Sequence, residues 1–142
     1  MLPTAQAEGK EREKEMKTGL ILEGGAMRGM FSAGVMDVMM ENGIRFDGII
    51  GVSAGAAFGV NYKSGQIGRA IRYNAKYCRD KRYCGVGSLL KTGNLFNTEF
   101  CYGEVPLKLD AFDFDTYEKD PTAFYVTCTD IESGKPVYHE YT

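Results

Sequence analysis

The segment Gly51-Val52-Ser53-Ala54-Gly55 sets a serine between glycines two positions away on either side, where an apolar run gives way to small residues. Upstream, Asp47 to Val52 reads as a short buried strand, and downstream, Ala54 to about Lys63 reads as a small-residue helix. A serine at such a junction stands on a sharp strand-to-helix turn that lifts its hydroxyl over the C-terminal edge of a sheet. Glycines at the flanking positions leave room for the backbone. The helix beginning there directs unbonded N–H groups and the positive end of its dipole toward the serine, which favours an alkoxide or oxyanion. Acyl transfer is the chemistry that such an arrangement suits.

The same pattern occurs once earlier in the chain. Thr18 to Glu23 is a short apolar run that enters the glycine-rich turn Gly24-Gly25-Ala26-Met27-Arg28-Gly29. Apolar residues then recur at helical spacing from Met27 to Met39, and Gly43 stops the helix. Two strand-turn-helix units in succession predict parallel strands covered by helices, an α/β layered fold. Beyond them, Gln66 to Tyr83 reads as a more polar helix, with Ile67, Ala70, Ile71, Asn74 and Tyr77 or Cys78 on its inner face. Gly85 to Phe112 is irregular, its aromatics Phe96, Phe100 and Tyr102 suiting a loop with short helical turns over one sheet edge. Ala123 to Cys128 and Val137 to Tyr141, joined by Ser133-Gly134-Lys135-Pro136, read as a closing hairpin.

Composition narrows the function. A length of 142 residues, 44% hydrophobic and 25% charged, is that of one globular domain. A net charge of −2 and the lack of any long Lys/Arg run argue against nucleic-acid binding. Cys78, Cys84, Cys101 and Cys128 lack C-x-x-C spacing, and one histidine does not complete a zinc set, so free buried thiols and no metal are expected. Residues 1–17 form a polar tail carrying Lys10-Glu11-Arg12-Glu13-Lys14-Glu15, with neither a signal peptide nor a transmembrane segment, which points to the cytoplasm. Met27, Met30, Met36, Met39 and Met40 crowd one helix, as core filler or as a soft acyl-binding wall.

A serine hydrolase needs donors aimed at the oxygen that becomes negative, and a glycine turn at a helix N-terminus supplies backbone N–H groups without side chains in the way. Gly24 to Gly29 has that composition, and in a parallel sheet the first two βα turns lie side by side. Arg28 either adds positive charge there or anchors the turn. The loop also approximates a dinucleotide fingerprint, Gly24-x-Ala26-x-x-Gly29, but the next strand ends in Val52-Ser53 rather than in an acidic residue for a ribose.

Together, Gly24-Gly25-Ala26-Met27-Arg28-Gly29 and Gly51-Val52-Ser53-Ala54-Gly55 resemble the motifs of patatin-like phospholipases. The stretches Ser88 to Phe96 and Thr127 to Val137 are similar to the bacterial branch of that family, so the resemblance covers roughly residues 18–142. It implies a three-layer α/β/α fold with a mainly parallel sheet, and a Ser–Asp dyad that cleaves lipid or phospholipid esters, at a membrane surface or in solution, with no cofactor and no metal. It makes Ser53 the nucleophile, Gly24, Gly25, Ala26, Arg28 and Gly29 the oxyanion loop, and Gly51, Val52, Ala54 and Gly55 the elbow around the serine. Ala26 stands where the family often has a third glycine. The family's aspartate lies in an Asp-Gly-Gly or Asp-Gly-Ala motif. Here Asp47-Gly48 precedes the serine, and Asp130 matches a strand-end position instead. The resemblance therefore implies the N-terminal part of the domain, incomplete at its C-terminus.

Three alternatives accompany this reading. A classical triad would draw on Ser53, one of Asp110, Asp113, Asp115 or Asp120, and His139, although His139 falls inside an alternating strand rather than on a loop. A truncated domain would bind lipid or a partner without turnover. A nucleotide-binding α/β protein would use the loop at Gly24.

Overall fold

The computed structural model describes residues 16–141, so most of the charged tail lies outside the described residues. Strand β1 (Gly19–Leu22) leads through a 3-10 turn (Ala26–Arg28) into helix α1 (Gly29–Glu41), and β2 (Gly48–Gly51) leads into α2 (Ala54–Lys63). Then come α3 (Arg69–Tyr77), α4 (Val86–Thr92), a π-helical segment (Phe100–Leu109), α5 (Phe114–Lys119), β3 (Ala123–Thr129) and β4 (Pro136–Glu140). The strands form one open sheet in the order β1-β2-β3-β4. The first three are parallel and β4 returns antiparallel to β3. This is the expected mainly parallel α/β arrangement with its closing hairpin.

Register explains which side of the sheet is covered. Leu20, Ile49 and Phe124 lie abreast, as do Leu22, Gly51 and Val126, and side chains of paired residues share a face. That face packs on Ala33 and Met36 of α1, Phe58 and Tyr62 of α2 and Ala70 of α3 in one continuous core, with Ile49 and Phe124 fully buried. The opposite face carries Ile21, Ile50 and Tyr125. Ile21 is 72% exposed there, so the described residues form one helical layer on the sheet, the fragment of a three-layer fold. A parallel sheet is ordinarily covered on both sides.

Local chemistry sets the helix boundaries. Both α1 and α2 end in paired backbone bonds closed by a left-handed glycine. Gly43 N–H reaches Met40 O and Ile44 N–H reaches Met39 O; Gly65 and Gln66 repeat this on Tyr62 and Asn61. The helix expected over 66–83 is shorter, spanning Arg69–Tyr77. Gly68, at φ 73°, holds off its start, and the Asp80 side chain takes the Arg82 N–H, turning the chain after Tyr77. Ile67, expected on the inner face, is exposed, and of the alternatives Tyr77 and Cys78 it is Tyr77 that is buried. The cysteines are free, as expected, but Cys78 and Cys128 are exposed rather than buried.

One ion cluster ties the π-helical segment to the core. Asp110 caps that segment, and its carboxylate takes two 2.8 Å bonds from Arg72, while its carbonyl accepts from the buried Arg69 at 2.6 Å. Arg69 also bonds Asn61 at 2.8 Å, linking α2 and α3. The Arg72 hydrogen bond holds the Asp110 carboxyl below the usual carboxylate range. A folded-state value below the unfolded one means this stabilisation is full above about pH 4 and is lost as pH falls through the lower folded value. Asp110→Asn is expected to cost about 1–2 kcal/mol at pH 7, with half-exposed Arg72 limiting the loss. The difference from wild type should shrink at pH 3, as read from urea midpoints.

Candidate active site

Two chain reversals at the C-terminal edge of the sheet build the site. At the second, Val52 N–H bonds Leu22 O at 3.0 Å, continuing β2 alongside β1, and Gly55 N–H then reaches back to Val52 O at 2.8 Å. This closes a four-residue turn with Ser53 in its first central position at φ 52°, ψ −116°, the II′ geometry that usually falls to glycine. Such a conformation costs a non-glycine residue about 1–3 kcal/mol. The surroundings enforce it. A Cβ on Gly55 would lie 2.2 Å from Leu22 O, and one on Gly51 2.5 Å from Ala56 Cα, so α2 starts in contact with the ends of both strands.

The first reversal lies against the second. A Cβ on Gly24 would sit 3.3 Å from Ser53 Cβ, and one on Gly29 would meet the Phe58 ring at 2.9 Å and Ala54 Cβ at 3.3 Å. Gly25 is extended and its carbonyl accepts the Arg28 N–H, closing the 3-10 turn. Ala26 is held at φ 46°, a left-handed value at the position where the sequence departs from glycine. Among the described residues no protein acceptor takes the N–H groups of Gly24, Gly25 or Ala26. At the start of α2, Ala54 N–H likewise has no protein acceptor among the described residues, whereas Gly55 N–H is taken by Val52 O and Ala57 N–H by Ser53 O. Unbonded donors from two loops therefore gather around one serine.

A cavity of about 190 Å³ opens between these loops, lined by Ala26, Met27, Ser53 and Ala54 on the near side. Its far wall combines Tyr73 and Asn74 of α3 with Tyr83, Phe96, Cys101 and Tyr102. The sequence signalled the aromatics of 96–102 but not their place, because they reach the cavity by long-range packing. Tyr83 hydroxyl donates to Asn74 Oδ1, and Asn74 Nδ2 to Ala70 O at 2.8 Å, fixing that wall. Burial raises Tyr73 to about 12 and Cys101 to about 11, and also pushes Tyr83 up, so these three stay protonated at neutral pH.

Of the residues singled out from sequence, Ser53, Ala54 and Ala26 line this cavity, while Gly24, Gly29, Gly51 and Gly55 supply the close contacts that shape it. Val52 is 38% exposed beside Gly24. Arg28 is exposed and outside the lining. Of the methionines, Met36 is buried in the core and Met27 borders the cavity. The triad candidates do not converge on Ser53. Asp110 pairs with Arg69 and Arg72, Asp113 caps α5, Asp120 faces Arg45, and His139 is exposed on β4. Asp47 holds Thr18 N–H at 2.6 Å at the sheet's other end, and Asp130 closes the β3–β4 turn. Among the described residues no cluster of three or more His, Cys, Asp or Glu offers a metal site, and no helix is long and apolar enough to cross a membrane.

A mainly parallel α/β sheet with a cavity between adjacent βα turns at its C-terminal edge defines an α/β protein with a cavity where open sheets commonly place a ligand. The chain belongs to the patatin-like phospholipase family, whose sequence profile matches residues 20–139. Uncharacterized protein YjjU of Escherichia coli (strain K12) is 29% identical over 99 residues, covering 66% of this chain. The chain spans 28% of the length of that relative. No solved structure gives a significant match.

Proposed function

We propose that the chain carries the nucleophile and oxyanion loop of a serine acyl hydrolase acting on lipid or phospholipid esters. Membership of the patatin-like family supports lipid hydrolysis in general. The observation that carries the specific reading is Ser53, held at φ 52° beside a loop with unbonded N–H groups. Ser53 Oγ attacks the ester carbonyl, the amides around Gly24 to Ala26 and at the start of α2 hold the oxyanion, and the alcohol leaves with a proton. Water then cleaves the Ser53 ester and releases the fatty acid, regenerating the hydroxyl. Gly51, Val52, Ala54 and Gly55 shape the turn, and Gly29 and Arg28 close the oxyanion loop. The site works in the cytoplasm, in solution or peripherally at a membrane, without a cofactor.

Attack by Ser53 requires that a base take its proton. The described lining offers phenols and a thiol, of which Tyr73, Tyr83 and Cys101 are held protonated, so full turnover requires a base from elsewhere. The same observation favours a second reading, a domain that binds lipid without turnover. Hydrolysis of p-nitrophenyl octanoate separates the two. Release of nitrophenol that falls at least a hundredfold in Ser53→Ala supports the hydrolase. A rate equal in wild type and Ser53→Ala contradicts it and leaves the binding domain.

A further inference from the structure

Helix α4 reverses the usual sidedness of a surface helix. Its two hydroxyls turn to its own closing loop, Ser88 Oγ donating to Asn94 O at 2.7 Å and Thr92 Oγ1 to the same oxygen at 3.3 Å. Ser88 is its one buried residue. Val86, Leu89 and Leu90 stand at i, i+3 and i+4 on the opposite side, and all three are exposed, Leu90 at 82%. A surface helix ordinarily turns its apolar stripe to the core and its polar side to water.

The chain around α4 is basic. Residues 76–95 hold five basic side chains, Lys76, Arg79, Lys81, Arg82 and Lys91, against Asp80 alone, a net charge of +4 in a chain whose total is −2. All five are exposed, and among the described residues only Arg82 is ion-paired, with Asp80 and Glu104. The same unit joins the wall of the Ser53 cavity. Cys84 and Phe96 bridge its two ends, Gly85 N–H bonds Leu95 O at 3.0 Å, and the Tyr83 and Phe96 rings meet edge to face at 5.8 Å. Tyr83 and Phe96 both line that cavity, so whatever seats on α4 lies beside it.

We infer that α4 and its basic flanks dock on an anionic lipid bilayer, with Val86, Leu89 and Leu90 entering the acyl boundary and Lys81 and Lys91 meeting headgroup phosphates. An apolar stripe flanked by cations is what a helix lying in the membrane interface presents. A protein partner would use the leucines without the excess of cations, and a nucleic acid the cations without the leucines. The inference deepens the hydrolase reading, on which its meaning for catalysis rests, by setting the Ser53 cavity beside the surface that holds ester lipids.

Flotation of the 142-residue chain with vesicles of phosphatidylcholine, alone or with about one-third phosphatidylglycerol, tests the docking face. Wild type is expected to bind the anionic vesicles about tenfold more tightly than the neutral ones, a preference that falls as salt rises. Leu90→Ser is expected to weaken binding about tenfold. Lys81→Glu combined with Lys91→Glu is expected to abolish the anionic preference. These positions are exposed, so thermal midpoints should stay close to wild type. Val38→Ser, at an exposed position near the far end of α1, is the control and should bind as wild type does. No binding of wild type to anionic vesicles, equal weakening by Leu90→Ser and Val38→Ser, or an unchanged anionic preference in the lysine variant overturns the inference. Self-association that Leu90→Ser abolishes, without vesicle binding, also overturns it and gives the face to a second copy. Docking needs no serine chemistry, so Ser53→Ala should bind vesicles as wild type does, while p-nitrophenyl octanoate in solution judges the nucleophile separately.

Discussion

Gly55→Ala is expected to destabilise the fold by about 3 kcal/mol or more, lowering the thermal midpoint by roughly 10 °C. The added Cβ would lie 2.2 Å from Leu22 O and 2.8 Å from Glu23 O, and both contacts are backbone atoms at the end of β1. A side chain can rotate away from a new methyl group, but a strand end in register with β2 cannot move without disturbing the bond from Val52 N–H to Leu22 O. Gly87→Ala is the matched control. It lies within α4 with nothing within 4 Å of its would-be Cβ, so it should be neutral or slightly stabilising. Urea unfolding of the two variants checks the contrast. Similar midpoints would show that α2 does not abut β1 as closely as described.

The second large effect separates stability from activity at one position. Ser53→Gly is expected to abolish labelling by serine-directed probes while raising stability by about 1 kcal/mol, because glycine adopts φ 52°, ψ −116° without strain. Ser53→Ala also loses labelling but retains a Cβ in the strained position, so its stability should stay within about 0.5 kcal/mol of wild type. A stability gain confined to the glycine variant would identify the strain as stored in the turn. Equal stability of the two variants would show that the turn relaxes in solution and that the serine is not held over the cavity.

Much of this organisation was legible in the sequence, for reasons that differ by element. The β1-α1-β2-α2 half announced itself because apolar runs enter glycine turns at short range, and the glycines answer to specific contacts: Gly43 to a helix stop, Gly51 and Gly55 to backbone approach. The segment 85–112 was legible only as irregular. Its π-helical stretch buries Phe100 and Val105 against Tyr77 and Tyr83, a cluster that depends on distant residues rather than on periodicity. Helix α5 was missed because six residues, one turn of which is held by Asp113 accepting from Thr116 N–H, leave little periodic signal. The near side of the site follows from two local motifs. Its far wall, assembled from α3, Tyr83, Phe96 and the π-helical segment, follows from tertiary packing alone.

The most direct measurement is mass-spectrometric mapping of the adduct formed when the purified chain is treated with a fluorophosphonate. A strained serine beside unbonded N–H groups should be modified selectively, with the adduct on Ser53, none on the other serines, and none at all in Ser53→Ala. Absence of an adduct on Ser53, or equal modification of serines elsewhere, would contradict the assignment of Ser53 as the nucleophile.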